Sequence, residues 1–375
     1  MYIREFLVET WLNPRAHLCK YNFGSSCVKA LTVEELFDCI ELDVEDFLSE
    51  VRNMSLHYGH FFGLERLRAA LSGLYENVSP DSVLTVHGGT GANNMVLTEL
   101  LTPSDNVVAF IPNYQQHYSI PESLGVEVRR LELREENMFL PDLEQLAELI
   151  DAQTKIIAFS NPNNPTGSFI DRKMMAKICE LASRVGAYVL CDEIYRGLGE
   201  AYMPSVVDLY DRGIATSSTS KVFSMAGTRL GWIIAKDKET YKRLENRRSY
   251  DTICCGVFDE LIVAIALEHK EKILERNRGI VTANRAVLDQ WLRTQSRLRC
   301  SNKSYSSTAF IKYDLGFEIS STELCTDLYE NSSVLLCHGD CFEVPNSFRL
   351  GYGYVEADVL NEGLDILGRH LASLS

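Results

Sequence analysis

A chain of 375 residues with 46% hydrophobic content has apolar material for one large or two medium domains, which excludes a small disulfide-stapled scaffold. Its formal net charge of -15 argues against nucleic-acid or anionic-membrane partners and leaves room only for a local basic pocket. Eleven cysteines at irregular spacings include no C-x-x-C pair, so neither a zinc site nor a disulfide framework is indicated; reduced thiols in a cytoplasmic setting are expected, with no metal.

Residues 1–13 carry Arg4, Glu5 and Glu9 in an amphipathic pattern without a signal-length apolar run. No stretch approaches the twenty apolar residues of a membrane span. Thr32 as N-cap, followed by Glu34 and Glu35, predicts helical segments over 32–52, and Gly63 to Tyr75 reads as another amphipathic helix. The period then changes. Short β-rich runs begin at Val83, Asn106, Glu127, Ile156 and Tyr188, separated by helical patterns from Gly91 to Leu101, Leu143 to Ile150 and Arg172 to Val185. That alternation predicts an α/β fold with a mostly parallel sheet covered on both faces. A long helical reach from Phe258 to Arg293 follows, then strands at Phe310–Tyr313, Val334–Leu336 and Phe348–Leu350, and a last helix from Ala357 to Leu371. The expected division is a large α/β domain over 45–270 and a small α+β domain from 1–44 with 271–375.

Ligands of α/β sheets collect beyond the carboxyl ends of the strands. Beyond the first run lies His87-Gly88-Gly89-Thr90-Gly91-Ala92-Asn93-Asn94, a Gly-rich turn opening a helix, suited to an anion and equally to a plain turn. Tyr114 follows the second run and offers either a core ring or a stacking surface. The loop Ser160-Asn161-Pro162-Asn163-Asn164-Pro165-Thr166-Gly167 combines stiff prolines with amide side chains able to donate hydrogen bonds. Asp192, at the end of the Tyr188 run, is either a helix N-cap or a buried acid needing a cation, with Tyr195 three residues on. Finally, Ser218-Thr219-Ser220-Lys221 places one lysine among hydroxyls, with Arg229 close behind. A nucleophilic lysine must be partly neutral, and burial or a nearby cation lowers its pKa toward that state.

The set Gly91-Ala92-Asn93, Pro112-x-Tyr114, Asn161 to Gly167, Asp192-Glu193-x-Tyr195, Ser218-x-Ser220-Lys221, Gly227-x-Arg229-Leu230-Gly231 and Phe348-Arg349-Leu350 resembles the class I/II aminotransferases, pyridoxal-phosphate enzymes of fold type I. The resemblance spans roughly residues 55 to 355. It implies that Lys221 forms the Schiff base with pyridoxal 5'-phosphate and shuttles the Cα proton, and that Asp192 holds the ring nitrogen protonated. It assigns Asn164 and Tyr195 to the phenolate oxygen and Tyr114 to the ring face. It assigns Gly91, Ala92, Asn93, Ser218, Ser220 and Arg229 to the phosphate, with Tyr58 reaching the phosphate of a neighbouring subunit in a homodimer of shared sites. Arg349 would read the substrate α-carboxylate, with Asn164 and the Gly24-Ser25 segment also on the substrate side.

Three segments depart from the common pattern: Asn22 to Val28, Ser306 to Phe310 and Arg247 to Glu260. They are similar to a branch that includes capreomycidine synthase and pyridoxal-phosphate-dependent arginine oxidases. The resemblance therefore implies transfer of an amino group from an α-amino acid to a 2-oxo acid, with oxidation, elimination or cyclisation of a cationic amino acid such as arginine as the alternative.

Overall fold

The computed structural model describes residues 2–199 and 202–374. Helix α1 (Leu7–Leu12) and strand β1 (Tyr21–Asn22) precede α2 (Val33–Ile40) and α3 (Val44–Arg52). Thr32 starts α2 with a full capping box: its hydroxyl accepts from the Glu35 N–H at 3.1 Å, while the Glu35 carboxylate accepts from the Thr32 N–H at 2.8 Å. The predicted Gly63–Tyr75 helix is α4 (Glu65–Ser72).

Strands β2 (Val83–His87), β3 (Asn106–Ile111), β4 (Glu127–Glu132), β5 (Thr154–Ser160), β6 (Tyr188–Asp192), β7 (Gly213–Ser218) and β8 (Leu230–Ala235) form one sheet in the order β2-β8-β7-β6-β5-β3-β4. Only β8 runs against its neighbours, β2 and β7; the other pairings are parallel. Period-two side-chain alternation splits the strands between two cores. Val108, Phe110, Ile157, Phe159, Val189 and Cys191 face one side, and Val107, Ala109, Ile156, Ala158, Tyr188 and Leu190 the other. Because both faces are covered, the strands read as continuous apolar runs.

The sheet is covered by α5 (Gly88–Leu100), α6 (Gln116–Ser123), α7 (Leu143–Leu149), α8 (Arg172–Val185) and α9 (Lys238–Asp251). Helix α5 begins at Gly88, three residues before the predicted start, so the Gly-rich turn is itself the first helical turn. Strands β7 and β8 and helices α6 and α9 go beyond the predicted elements. β7 is Gly-Ile-Ala-Thr-Ser-Ser, whose small polar residues form a strand because the sheet buries all of them. α9 is charged almost all round, so no apolar stripe marks it.

Two helices, α10 (Val257–Glu268) and α11 (Lys270–Leu292), meet at His269 within the predicted long reach. Then come β9 (Leu298–Arg299), β10 (Thr308–Tyr313), α12 (Ser321–Ser332), β11 (Val334–Leu335), β12 (Cys337–His338), β13 (Ser347–Gly351) and α13 (Ala357–Ser373). An antiparallel sheet orders as β12-β13-β10-β9, while β1 pairs in parallel with β11. The N-terminal segment thus packs on the C-terminal tail: Trp11 Nε1 donates to the Leu336 carbonyl at 2.7 Å. It also grips the large sheet's side, where Gln115 accepts from the Leu7 N–H at 2.9 Å and donates to the Glu5 carbonyl at 2.7 Å.

Candidate active site

A cleft of about 820 Å³ opens at the carboxyl ends of β5, β6 and β7 and the start of α5, and is roofed by residues of the N-terminal segment. Its wall brings together Tyr114, Asn164, Asp192, Tyr195, Ser218, Ser220, Lys221, Arg229, Ser25 and Arg349. Gly89, Thr90, Glu9 and Cys27 stand in the same wall, whereas Gly91, Ala92 and Asn93 lie behind it.

One end of the cleft is built for an anion. His87 at the N-cap of α5 supplies no side-chain acceptor, so the first-turn N–H groups at Gly89 and Thr90 are available to a ligand. Gly88 adopts φ +67°, and a Cβ there would approach the Arg229 guanidinium at 2.8 Å, which places that cation beside the helix start. Ser218 and Ser220 complete this end, linked by a 3.2 Å bond from the Ser220 N–H to Ser218 Oγ. The Gly-rich turn is where the sequence placed an anion, but the resemblance assigned the phosphate to Gly91, Ala92 and Asn93, whereas the helix starts at Gly88, and Gly89 and Thr90 line the cleft. Gly89 and Thr90 were legible as part of the Gly-rich turn.

Asn93 has a different partner from the phosphate first assigned to it. Its amide donates to Asp192 Oδ2 at 2.8 Å, and its oxygen accepts from Thr216 Oγ1 at 2.6 Å. Asp192 also accepts from the Ile194 N–H at 3.1 Å, and it makes no ion pair among the described residues. Burial pushes its carboxyl up to about 6, against the opposing pull of Asn93, the Ile194 N–H and Lys221. The adjacent Glu193 is turned to structural work, accepting from Ser205 Oγ at 2.6 Å and the Val206 N–H at 3.1 Å. Tyr114 meets Phe6 edge-on with ring centroids 5.2 Å apart, and burial raises its hydroxyl pKa.

Lys221 donates from Nζ to Cys27 Sγ at 3.4 Å. Burial disfavours its ammonium form, but Cys27 and Tyr195 outweigh that, with Arg349 opposing them, so the pKa is raised. This corrects the expectation of a depressed lysine. Cys27, which sequence reasoning did not assign to the site, is a partner no local pattern could signal across 194 positions.

Arg349, on β13, is 2% exposed. Its two terminal nitrogens donate to Asn164 Oδ1 and the Gly24 carbonyl, each at 2.8 Å, and its Nε has no partner. Gly24 therefore takes part through its backbone, and a Cβ there would meet Leu12 Cδ2 at 2.5 Å. Ser25 holds the same segment, its hydroxyl accepting from the Cys27 N–H at 3.3 Å. Tyr58 lies outside the cleft of its own chain, 65% exposed.

This donor set fits pyridoxal phosphate. The helix start with Arg229 suits the phosphate, the buried Asp192 carboxylate lacks the cation that a protonated ring nitrogen supplies, and Lys221 offers the amine. No group of His, Cys, Asp and Glu able to hold a metal occurs among the described residues, and none of their helices is long and apolar enough to cross a membrane.

The family model for class I and II aminotransferases matches residues 38–367. Capreomycidine synthase of Streptomyces vinaceus is 26% identical over 372 residues, covering 98% of this chain and 93% of its own. An aspartate aminotransferase of Pyrococcus horikoshii is 26% identical over 313 residues, covering 80% and 77%. Among solved structures, a PLP-dependent aminotransferase from Streptococcus suis superposes with a TM-score of 0.96 at 39% identity, covering 100% of this chain and 99% of that one. The PLP-dependent cyclase OrfR shares the fold with a TM-score of 0.89 at 22% identity, covering 100% and 99%. The sheet, the cleft at its strand ends and these matches together place the chain in the class I and II aminotransferase family, a pyridoxal-phosphate enzyme of fold type I.

Proposed function

We propose that this enzyme transfers the amino group of an α-amino acid to a 2-oxo acid, with Lys221 as the residue that holds the cofactor and moves the Cα proton. When bound, pyridoxal phosphate supplies an electron-accepting ring that stabilises negative charge at the substrate Cα. With the cofactor in the cleft, Asp192 would keep a proton on the ring nitrogen, Tyr195 and Asn164 would bind the phenolate oxygen, and Tyr114 would meet the ring. Gly89, Thr90, Ser218, Ser220 and Arg229 would hold the phosphate.

The observation that carries the substrate class is Arg349. A buried guanidinium with only neutral partners, and one N–H unpaired, lacks the anion that an α-carboxylate provides. In this reading residues 45–270 form one unit and 1–44 with 271–375 the other, and Arg349 spans them through Asn164 of the first and Gly24 of the second. The test is an amino-acid panel monitored by cofactor absorbance, with and without 2-oxo acids. The expected result is an absorbance change with an α-amino acid that a 2-oxo acid reverses; inertness toward the whole panel sinks the proposal.

A homodimer with shared sites is part of this reading. Leu56, Tyr58, Phe61 and Phe62 are 80%, 65%, 57% and 50% exposed within one short segment, an apolar face that a second copy covers. The eleven thiols, all free, support a reducing, cytoplasmic setting.

A second reading, oxidation, elimination or cyclisation of a cationic amino acid, is favoured by Glu9. Its half-buried carboxylate lines the cleft and has no ion-pair partner among the described residues, and the near-full-length match to capreomycidine synthase points the same way. Oxygen uptake, or product formation without a 2-oxo acid, distinguishes it.

A further inference from the structure

We propose that Asn93, oriented by Thr216 and Gln116, is a positioning residue that keeps the Asp192 carboxylate ionised and aimed into the cleft. The inference rests on the assignment of Asp192 as partner of the ring nitrogen.

The side-chain amide of Asn93 is fixed in one orientation. The Thr216 hydroxyl, on β7, donates to Asn93 Oδ1 at 2.6 Å, so the amide nitrogen faces Asp192 Oδ2 at 2.8 Å. The same nitrogen reaches Gln116 Oε1 at 3.4 Å. Gln116 Nε2 in turn donates to the Thr90 carbonyl at 3.1 Å, in the first turn of α5. Asn93 is 1% exposed and Thr216 fully buried, so water does not substitute for either bond. Three elements thereby converge on one carboxylate: α5 through Asn93, α6 through Gln116, and β7 through Thr216, which stands opposite Asp192 in the sheet register.

Burial alone drives a carboxyl toward its neutral form, and two donors oppose it here: the Asn93 amide and the Ile194 N–H. The charged and titratable groups facing Asp192 are Lys221 from the loop after β7, Tyr114 from the loop after β3 and Cys191 on its own strand. β5 places neutral Ser160 opposite it. Lys221 acts through space and cannot set the direction of the carboxylate, whereas the amide hydrogen bond can. Asn93 also lies behind the cleft wall while Gly89 and Thr90 stand in it, so the helix start serves the phosphate and the next turn serves the ring.

The test uses the full chain freed of cofactor and two probes. The first is 4'-deoxypyridoxine 5'-phosphate, which keeps the ring and phosphate but cannot bond to Lys221; the second is inorganic phosphate, which occupies only the anion end. Asn93→Leu is expected to weaken the ring analogue at least tenfold while leaving phosphate affinity within twofold. Thr216→Val, which removes only the orienting hydroxyl, is expected to act in the same direction by a smaller factor, and the double variant to be no worse than Asn93→Leu alone. In the loaded enzyme the acid limb of the turnover profile should move up by at least one pH unit in Asn93→Leu. Equal loss of phosphate affinity would make Asn93 a phosphate ligand, and an unmoved acid limb with intact analogue binding in Thr216→Val would make it packing; either overturns the inference. Asp192→Asn, run alongside, is expected to weaken the ring analogue too. If it does not, the reading of Asp192 itself fails, and the inference with it.

Discussion

The two ends of the cleft are built on opposite principles. At the cofactor end the side chains hold one another in place, Asp192 by Asn93 and Ile194, Asn93 by Thr216, Ser218 by Ser220, while the α5 first-turn N–H groups and the charge of Asp192 face the cleft unanswered. These residues sit at the ends of β6 and β7 and on α5, against the covered core of one sheet. At the substrate end charges are left open. Arg349 has an unpaired Nε, Glu9 makes no ion pair among the described residues, and the groups come from both extremities of the chain. A buried charge without a counter-ion costs several kcal/mol in the empty state. A ligand of opposite sign relieves that cost, so the open end gains selectivity from what the closed end would lose as instability.

The largest effect is expected at Lys221. Replacing it with Ala removes the amine while leaving the anion site and Asp192 intact, so fold and cofactor binding should persist while turnover drops by about 10⁴-fold, the upper end for a lost proton carrier. Borohydride treatment of the parent followed by peptide mapping should place the cofactor adduct on Lys221, and an adduct on another lysine would move the whole site. Next in size is Asp192→Asn, expected to slow turnover by about 100-fold, on the order of 2.7 kcal/mol. The acid side carries the same dependence. The folded carboxyl lies raised to about 6, so its ionised form, the one that pairs with a cationic nitrogen, is lost as pH falls through that value. Cofactor affinity should decline below pH 6, and a flat affinity from pH 8 to pH 5 would remove Asp192 from the ring.

At the open end, Arg349→Lys keeps the charge but loses the planar fork. A charge-assisted hydrogen bond is worth roughly 1.5–3 kcal/mol, so KM for the amino acid should rise at least about tenfold with a much smaller change in kcat. The variant should also distinguish an amino acid from its decarboxylated amine less well than the parent does. An unchanged KM would mean that Asn164 and Gly24 hold Arg349 for structure alone.

The same contrast explains what the sequence disclosed. Tyr114 and Asp192 stand at or just past the ends of runs that read as strands, so the rule that ligands gather at strand ends finds them without a structure, whereas Ser218 and Lys221 lie at and just past the end of the unpredicted β7 and were marked only by a lysine set among hydroxyls. The start of α5 was misplaced because glycines carry no helical signal, although their N–H groups do the binding. Asn93 was misassigned for a related reason: one helical turn separates a phosphate-facing residue from one that faces β6, and spacing alone does not say which way a side chain turns. Glu9 was already a candidate for a cationic side chain and Cys27 lay in a segment marked as departing from the family pattern, but the pairing of Cys27 with Lys221 stayed out of reach because it depends on β1 pairing with β11 and spans 194 positions.

The smallest expected effect is also the one that separates the two functional readings. Glu9 enters the cleft from α1, a helix of six residues held by Trp11 on the Leu336 carbonyl, so Glu9→Gln leaves its backbone anchors untouched. If the distal end of the substrate is cationic, the parent carboxylate attracts it across a partly hydrated gap, where a single ion pair is worth up to roughly 1 kcal/mol. KM for a cationic amino acid should then rise about fivefold in Glu9→Gln, and the difference between parent and variant should shrink as salt is added, because partly exposed charges are screened within about 8–10 Å. KM for a neutral amino acid of similar length should stay within twofold. Equal effects on both substrates would show that Glu9 shapes the lid instead of reading charge, and would leave transfer from a neutral α-amino acid as the better account of the open end.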